Sequence, residues 1–146
     1  FSMSEISTSI ILDGISLALR AAYPDSRIES DSIAQGLKSP AFIILLIDGS
    51  QLPRLGARRY RQPRFDILYF PESKRGREEC YKVADNLSQI LEVIKLSGGD
   101  SIRGSDVSFN VTDNVLHFNI SYKYYTTTET GGGDAIESLE NTQIKL

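Results

Sequence analysis

"ARRYRQPRFDILYFP" (residues 57–71) joins a basic lead-in to an apolar run, and its second half decides the fold. Phe65, Ile67 and Tyr69 point one way along a strand while Asp66, Leu68 and Phe70 point the other, so both faces are largely apolar. Such a strand belongs inside a sheet covered on two sides. The lead-in is different. Five arginines, Arg54, Arg58, Arg59, Arg61 and Arg64, fall within eleven residues, with no carboxylate between Ser50 and Phe65. Pro63 has no N–H to give a ladder, so this part reads as a long basic loop or an irregular strand entry.

Upstream, "AFIILLID" (residues 41–48) is continuously apolar and ends at Asp48-Gly49, as expected of a central strand. A short strand is expected near residues 27–29. Downstream, Val107, Phe109 and Val111 alternate with polar residues, Asp113-Asn114 turns the chain, and Leu116, Phe118, Ile120, Tyr122 and Tyr124 alternate again. That pattern predicts a hairpin with a well-specified register.

Two helices flank these strands. Residues 4–22 read as a helix with Ser4 as N-cap and Tyr23-Pro24 as its end. Its apolar residues sweep about 240 degrees at helical spacing, more than one contact surface covers. Ile11, Ile15 and Leu19 on that arc are therefore expected to face a neighbouring subunit. Residues 73–96 form the second predicted helix, with Ser73 as cap and Ser97-Gly98-Gly99 as stop. Cys80, Val83, Ala84, Leu87, Ile90, Leu91 and Ile94 make an ordinary one-sided stripe there, which places Cys80 in the core.

The expected architecture is α+β: two helices and a single mixed or antiparallel sheet of four to five strands, in the order α-β-β-β-α-β-β. At 146 residues the chain holds one domain, residues 1–126, followed by an extension, 127–146, that is rich in threonine and glycine. This extension is expected to be flexible by itself and to dock on a neighbour, with Ile144 and Leu146 in a terminal "TQIKL" adding an edge strand there.

The chemistry expected of the chain is structural. The net charge is −3 even though the arginine group contributes five positive charges, so charge is segregated. One cysteine excludes an internal disulfide framework. The longest apolar run, residues 41–47, falls well short of the roughly 20 residues of a membrane-spanning helix, and no secretion signal is expected. There is no GxxxxGK[ST], GxSxG or GxGxxG motif, and the sole histidine, His117, lies on a polar strand face without metal-ligand spacing. No catalytic residue, metal or cofactor is expected, and the chain is not expected to be an enzyme. For the arginines three readings stay open: a solvated basic connection, an interface loop whose guanidiniums meet another subunit's carboxylates, or a phosphate contact with Tyr60 the one aromatic among them.

Longer stretches carry a family likeness. "AQGLKSPAFIILLI", "RRYRQPRFDILYFPESKRGREEC" and "VSFNVTDNVLHFNISYKYY" resemble the tail terminator proteins of contractile-tailed phages, prophages and phage-tail-like particles, over residues 6–125. The resemblance implies a small α+β protein that assembles in the host bacterial cytoplasm as a ring, commonly a hexamer. The ring would cap the head-proximal end of the tail tube and sheath, end tail polymerisation and present a face to neck or head-completion proteins. DNA would at most pass through the lumen. A neck or tail-completion adaptor is the near alternative, and a nucleic-acid-binding module using residues 54–64 the distant one.

Overall fold

The computed structural model describes residues 6–30, 38–53 and 58–127. Its elements are α1 (Thr8–Ala22), β1 (Arg27–Ser30), β2 (Ala41–Pro53), β3 (Arg58–Phe70), α2 (Gly76–Ile90), β4 (Val93–Lys95), β5 (Ser101–Thr112), β6 (Val115–Tyr122) and β7 (Tyr124–Thr127). They build a seven-stranded mixed sheet in the order β1-β2-β3-β6-β5-β4, with β7 also on β3. Only the β1–β2 pair among these is parallel. The α+β class stands, but the sheet exceeds the four to five strands expected from the sequence by β4 and β7.

β4 was hidden inside the second predicted helix. Ile94 lies three residues beyond Leu91, so it fits a helical stripe and a buried strand position equally well. The helix stops at Ile90, and Ile94 instead reaches the core from β4. The Ser97-Gly98-Gly99 stretch expected to stop a helix makes the β4–β5 turn: Leu96 N–H donates to Asp100 O (2.7 Å), Gly99 N–H donates to Leu96 O (2.9 Å), and Gly99 has φ +95°. The Asp113-Asn114 turn is as expected, with φ values of 53° and 61° suited to a two-residue hairpin.

Both caps differ from the sequence reading. Ser7, not Ser4, caps α1, its hydroxyl accepting the Ile10 N–H at 3.2 Å. At α2 the N-cap is Arg75, without a side-chain cap bond, and Ser73 sits outside the helix. There its N–H donates to Glu79 Oε1 at 3.0 Å and that of Glu72 donates to Oε2 at 2.9 Å, so a carboxylate one turn inside the helix orders the entering chain.

Both helices pack on the sheet face that carries Phe42, Phe65, Ile67 and Phe118. Ile11, Ile15 and Leu19 of α1 and Cys80, Ala84 and Leu87 of α2 have no accessible surface. On the reverse face Ala41, Ile43 and Leu68 are also buried, but β2 emerges beyond Ile44, leaving Leu46 and Ile47 largely exposed. Tyr122 ties sheet to helix: its hydroxyl donates to Leu91 O at 2.6 Å from a fully buried ring, and burial pushes its pKa well above the ordinary phenol value.

Close packing fixes where β5 crosses β6. A Cβ on Gly104 would collide with the tip of Ile120 and lie 2.9 Å from its Cγ1. Gly104→Ala should therefore cost about 1–3 kcal/mol through overpacking, read as a lower urea midpoint at unchanged slope. An unchanged midpoint would mean that Ile120 moves aside freely.

Candidate assembly surface

Of the two forms expected for the arginine segment, loop or irregular strand entry, residues 58–64 take the second. β3 runs from Arg58 to Phe70, pairing with β2 as far as Arg59↔Pro53. Pro63 sits opposite Gly49 without ending the strand. Its missing N–H has its effect on the other side. β6 pairs with β3 up to Ser121↔Arg64, and β7 resumes in the same frame at Tyr124↔Arg61, so β7 prolongs β6 past a gap opposite Gln62 and Pro63. The outcome is a three-stranded extension of the sheet, built from 49–53, 58–63 and 124–127.

Arg64 stands at the base of this extension and is occupied within the chain. Its guanidinium donates to Asp106 O (2.9 Å), Ser121 Oγ (2.9 Å) and Ser108 Oγ (3.2 Å), spanning β6 to reach β5. The β5 register shifts between Ser105 and Ser108, where Asp106 takes φ 54°. Asp106 Oδ2 also accepts from Lys123 Nζ at 2.9 Å. That contact holds the Asp106 carboxyl below its ordinary pKa and the Lys123 ammonium above its own.

The other expected interface residues scatter. Tyr60 is half-buried and packs on Tyr125, ring centroids 5.2 Å apart. Arg61, also half-buried, pairs in register with Gln51 and Tyr124, and Arg58 and Arg59 occupy the first two positions of β3. Arg54, Ile144 and Leu146 lie outside the described residues, as does the 127–146 extension apart from Thr127, which ends β7. Ile11, Ile15 and Leu19 correct the expectation for α1: they fill this chain's own core, because the broad apolar arc is spent on β1, β2, β4 and α2 together. Leu17 is the large apolar residue that α1 leaves exposed, at 60 %.

What Glu79 binds was not read from the sequence. Besides the two backbone N–H groups, it accepts the Tyr69 hydroxyl at 2.5 Å, joining the end of β3 to the start of α2. Cys80, the next residue, is buried with Sγ 3.9 Å from Asn114 O, and burial raises its thiol pKa. The signal was the pair of short motifs, "YFP" and "EEC", that this contact connects.

His117 Nδ1 lies 3.3 Å from Asp66 Oδ2 across neighbouring strands. Among the described residues no group of three or more His, Cys, Asp or Glu side chains is placed to hold a metal, and no helix is long and apolar enough to cross a membrane.

The family model for phage tail terminator proteins matches residues 10–134. The chain belongs to that family. Membership makes it a structural component of phage tails and extends the likeness past the Tyr125 limit read from the sequence. A search of curated proteins finds no match. One solved structure is similar at 14 % identity over 87 % of this chain and 99 % of its own, with a TM-score of 0.45.

Two measurements check these contacts. Burial alone would raise the Glu79 carboxyl, but the Tyr69 hydroxyl and the two N–H groups outweigh it and leave its pKa lowered. A carboxylate depressed on folding stabilises fully above its unfolded value of about 4.3, and loses that contribution as pH falls through the folded value. Glu79→Gln should thus lower stability at neutral pH by about 1 kcal/mol and flatten the acid-side fall of the melting temperature. An acid limb identical to wild type would show the bonds to be idle. Arg64→Met should cost a similar amount, about 1 kcal/mol, in the isolated protein, where a residue used only toward partners would leave the melting curve unmoved.

Proposed function

We propose that this protein forms a closed ring, most simply a hexamer, on the head-proximal end of a contractile tail, ending polymerisation of tube and sheath and offering the joining surface to neck or head-completion proteins. The family match over residues 10–134 carries this reading. A ring subunit needs two different surfaces that meet by rotation, and no bond-making chemistry.

In this reading the three-stranded extension is the contact arm. Arg58, Arg59 and Arg61 open β3, and with Arg54 they form a basic group suited to bidentate pairing with carboxylates of the next subunit or of the tube and sheath ring below. The chain leaves β7 from this same extension, at Thr127 beside Arg58. We assign residues 128–146, which follow it in the chain, to docking on a neighbour, with Ile144 and Leu146 as apolar anchors.

Tails assembled without the protein should overgrow or lose their end ring in negative-stain images, and adding it should restore a uniform length with density at the head-proximal end. Normal lengths and ends in its absence would defeat termination. Deleting 128–146 should weaken ring or sheath attachment while the melting temperature holds. Unchanged attachment after that deletion removes the docking role and leaves the ring.

A further inference from the structure

We infer that the acidic and apolar segment 134–146 docks on the outer flank of α2 in a neighbouring copy, where Tyr81, Val107 and Phe109 form an exposed ledge beside Lys74 and Arg77; the inference rests on the docking of 128–146 proposed above. The ledge is built from two elements. Phe109 pairs in register with Phe118 and so faces the helix side of the sheet, but α2 covers it only in part and leaves it 43 % exposed. Tyr81 meets it edge-to-face from α2, ring centroids 6.5 Å apart, and is 44 % exposed, as is Val107 two residues back along β5. Large apolar side chains exposed singly are ordinary on a protein surface, whereas an adjoining group of three marks a contact.

Charge is ordered along this flank. Arg77, one turn before Tyr81, donates to its hydroxyl at 2.9 Å and holds its guanidinium carbon 5.8 Å from the ring centre. Lys74 and Arg77 line a shallow cavity of about 340 Å³ with Arg75, Gly76, Glu78 and Asn114. Arg75 lies 3.7 Å from Glu78, while neither Lys74 nor Arg77 has a carboxylate within 4.0 Å among the described residues. One turn beyond Tyr81 the sign reverses at the exposed Asp85.

Residues 134–146, "DAIESLENTQIKL", follow the same order. Asp134, Glu137 and Glu140 interleave with Ile136 and Leu139, and Ile144, Lys145 and Leu146 come after them. Laid along α2, the segment sets its acids toward Lys74 and Arg77, its apolar residues on the ledge and Lys145 toward Asp85. Reach favours a neighbour's ledge over the chain's own. Thr127 pairs with Arg58, and Phe109 lies level with Ile67, nine residues farther along β3 and so about 30 Å away. Residues 128–136 span at most about 32 Å, so Ile136 meets its own ledge only with all of them drawn straight. A heterologous ring instead brings another copy's surface to each extension. Residues 135–146 lie beyond the family match, so the family likeness does not supply this contact.

Full-length Val107→Cys protein, mixed under mild oxidation with full-length Leu139→Cys or Leu146→Cys protein, should give disulfide-linked dimers in at least one mixture at about tenfold or more over either variant alone, since bridging needs Cα atoms within about 7 Å. Adding Arg77→Glu to the Val107→Cys chain should lower that yield about threefold or more. Glu137→Lys with Glu140→Lys on the other chain should restore it, with melting temperatures unchanged throughout. Protein with and without residues 128–146 is compared in parallel for ring and sheath attachment. Attachment weakened by the deletion while every mixture stays uncrosslinked would overturn the ledge and leave the docking reading intact. Links formed only within a chain carrying both Val107→Cys and Leu139→Cys would overturn the neighbour as host, and links indifferent to Arg77→Glu would overturn the charge match. Attachment unchanged by the deletion, with no crosslinks, would overturn both the ledge and the docking reading.

Discussion

β3 has partners on both sides along nearly its whole length: β2 on one edge, β6 and then β7 on the other. That double pairing fixes which residues face the helices. Phe65, Ile67 and Tyr69 enter the core, and Arg64, Asp66 and Leu68 fall on the reverse side. A slip of one residue would bury Arg64 and Asp66 against α1 and α2. The Arg64 bonds across β6 to β5 and the Tyr69–Glu79 bond to α2 hold the strand at two levels, one on each face.

The parts of the fold legible in the sequence were those with a clean period. The β5–β6 hairpin, the apolar start of β2 and the one-sided stripe of α2 each follow from spacing that admits one structure. β4 was not legible, because three residues continuing a helical stripe contain no period of their own. Tyr124 of β7 was read as the end of the second hairpin strand, and what was not legible was the gap beside Pro63 that separates β7 from β6, a fact about a distant strand rather than about residues 124–127. The arginine segment was legible only as loop or irregular strand entry, because a proline inside a strand is tolerated where the partner ladder lapses, as it does beside Lys123.

The candidate surface was legible only in outline. Counting apolar residues around α1 showed too wide an arc for one contact, but not that four elements of the same chain would use it. Glu79 lies in the first turn of α2, where the helix dipole favours an acid. That it also holds Tyr69 and the two N–H groups depends on how the 71–75 connection folds back, which no local pattern specifies. The family likeness filled part of this gap, since the motifs that carry it include the residues meeting at that contact.

The irregularities of the sheet share one level. The β2 register shifts between Leu46 and Asp48, Pro63 faces Gly49, the pairing of β6 and β7 with β3 lapses at Lys123 without a change of frame, and β5 bulges around Asp106. Together they draw a crease across the sheet, bridged by the Arg64 bonds and the Lys123–Asp106 pair. On one side lies the body with its helices, on the other the strand ends bearing the arginines. The extension thus lies wholly beyond this line from Phe65, Ile67 and the helices packed over them.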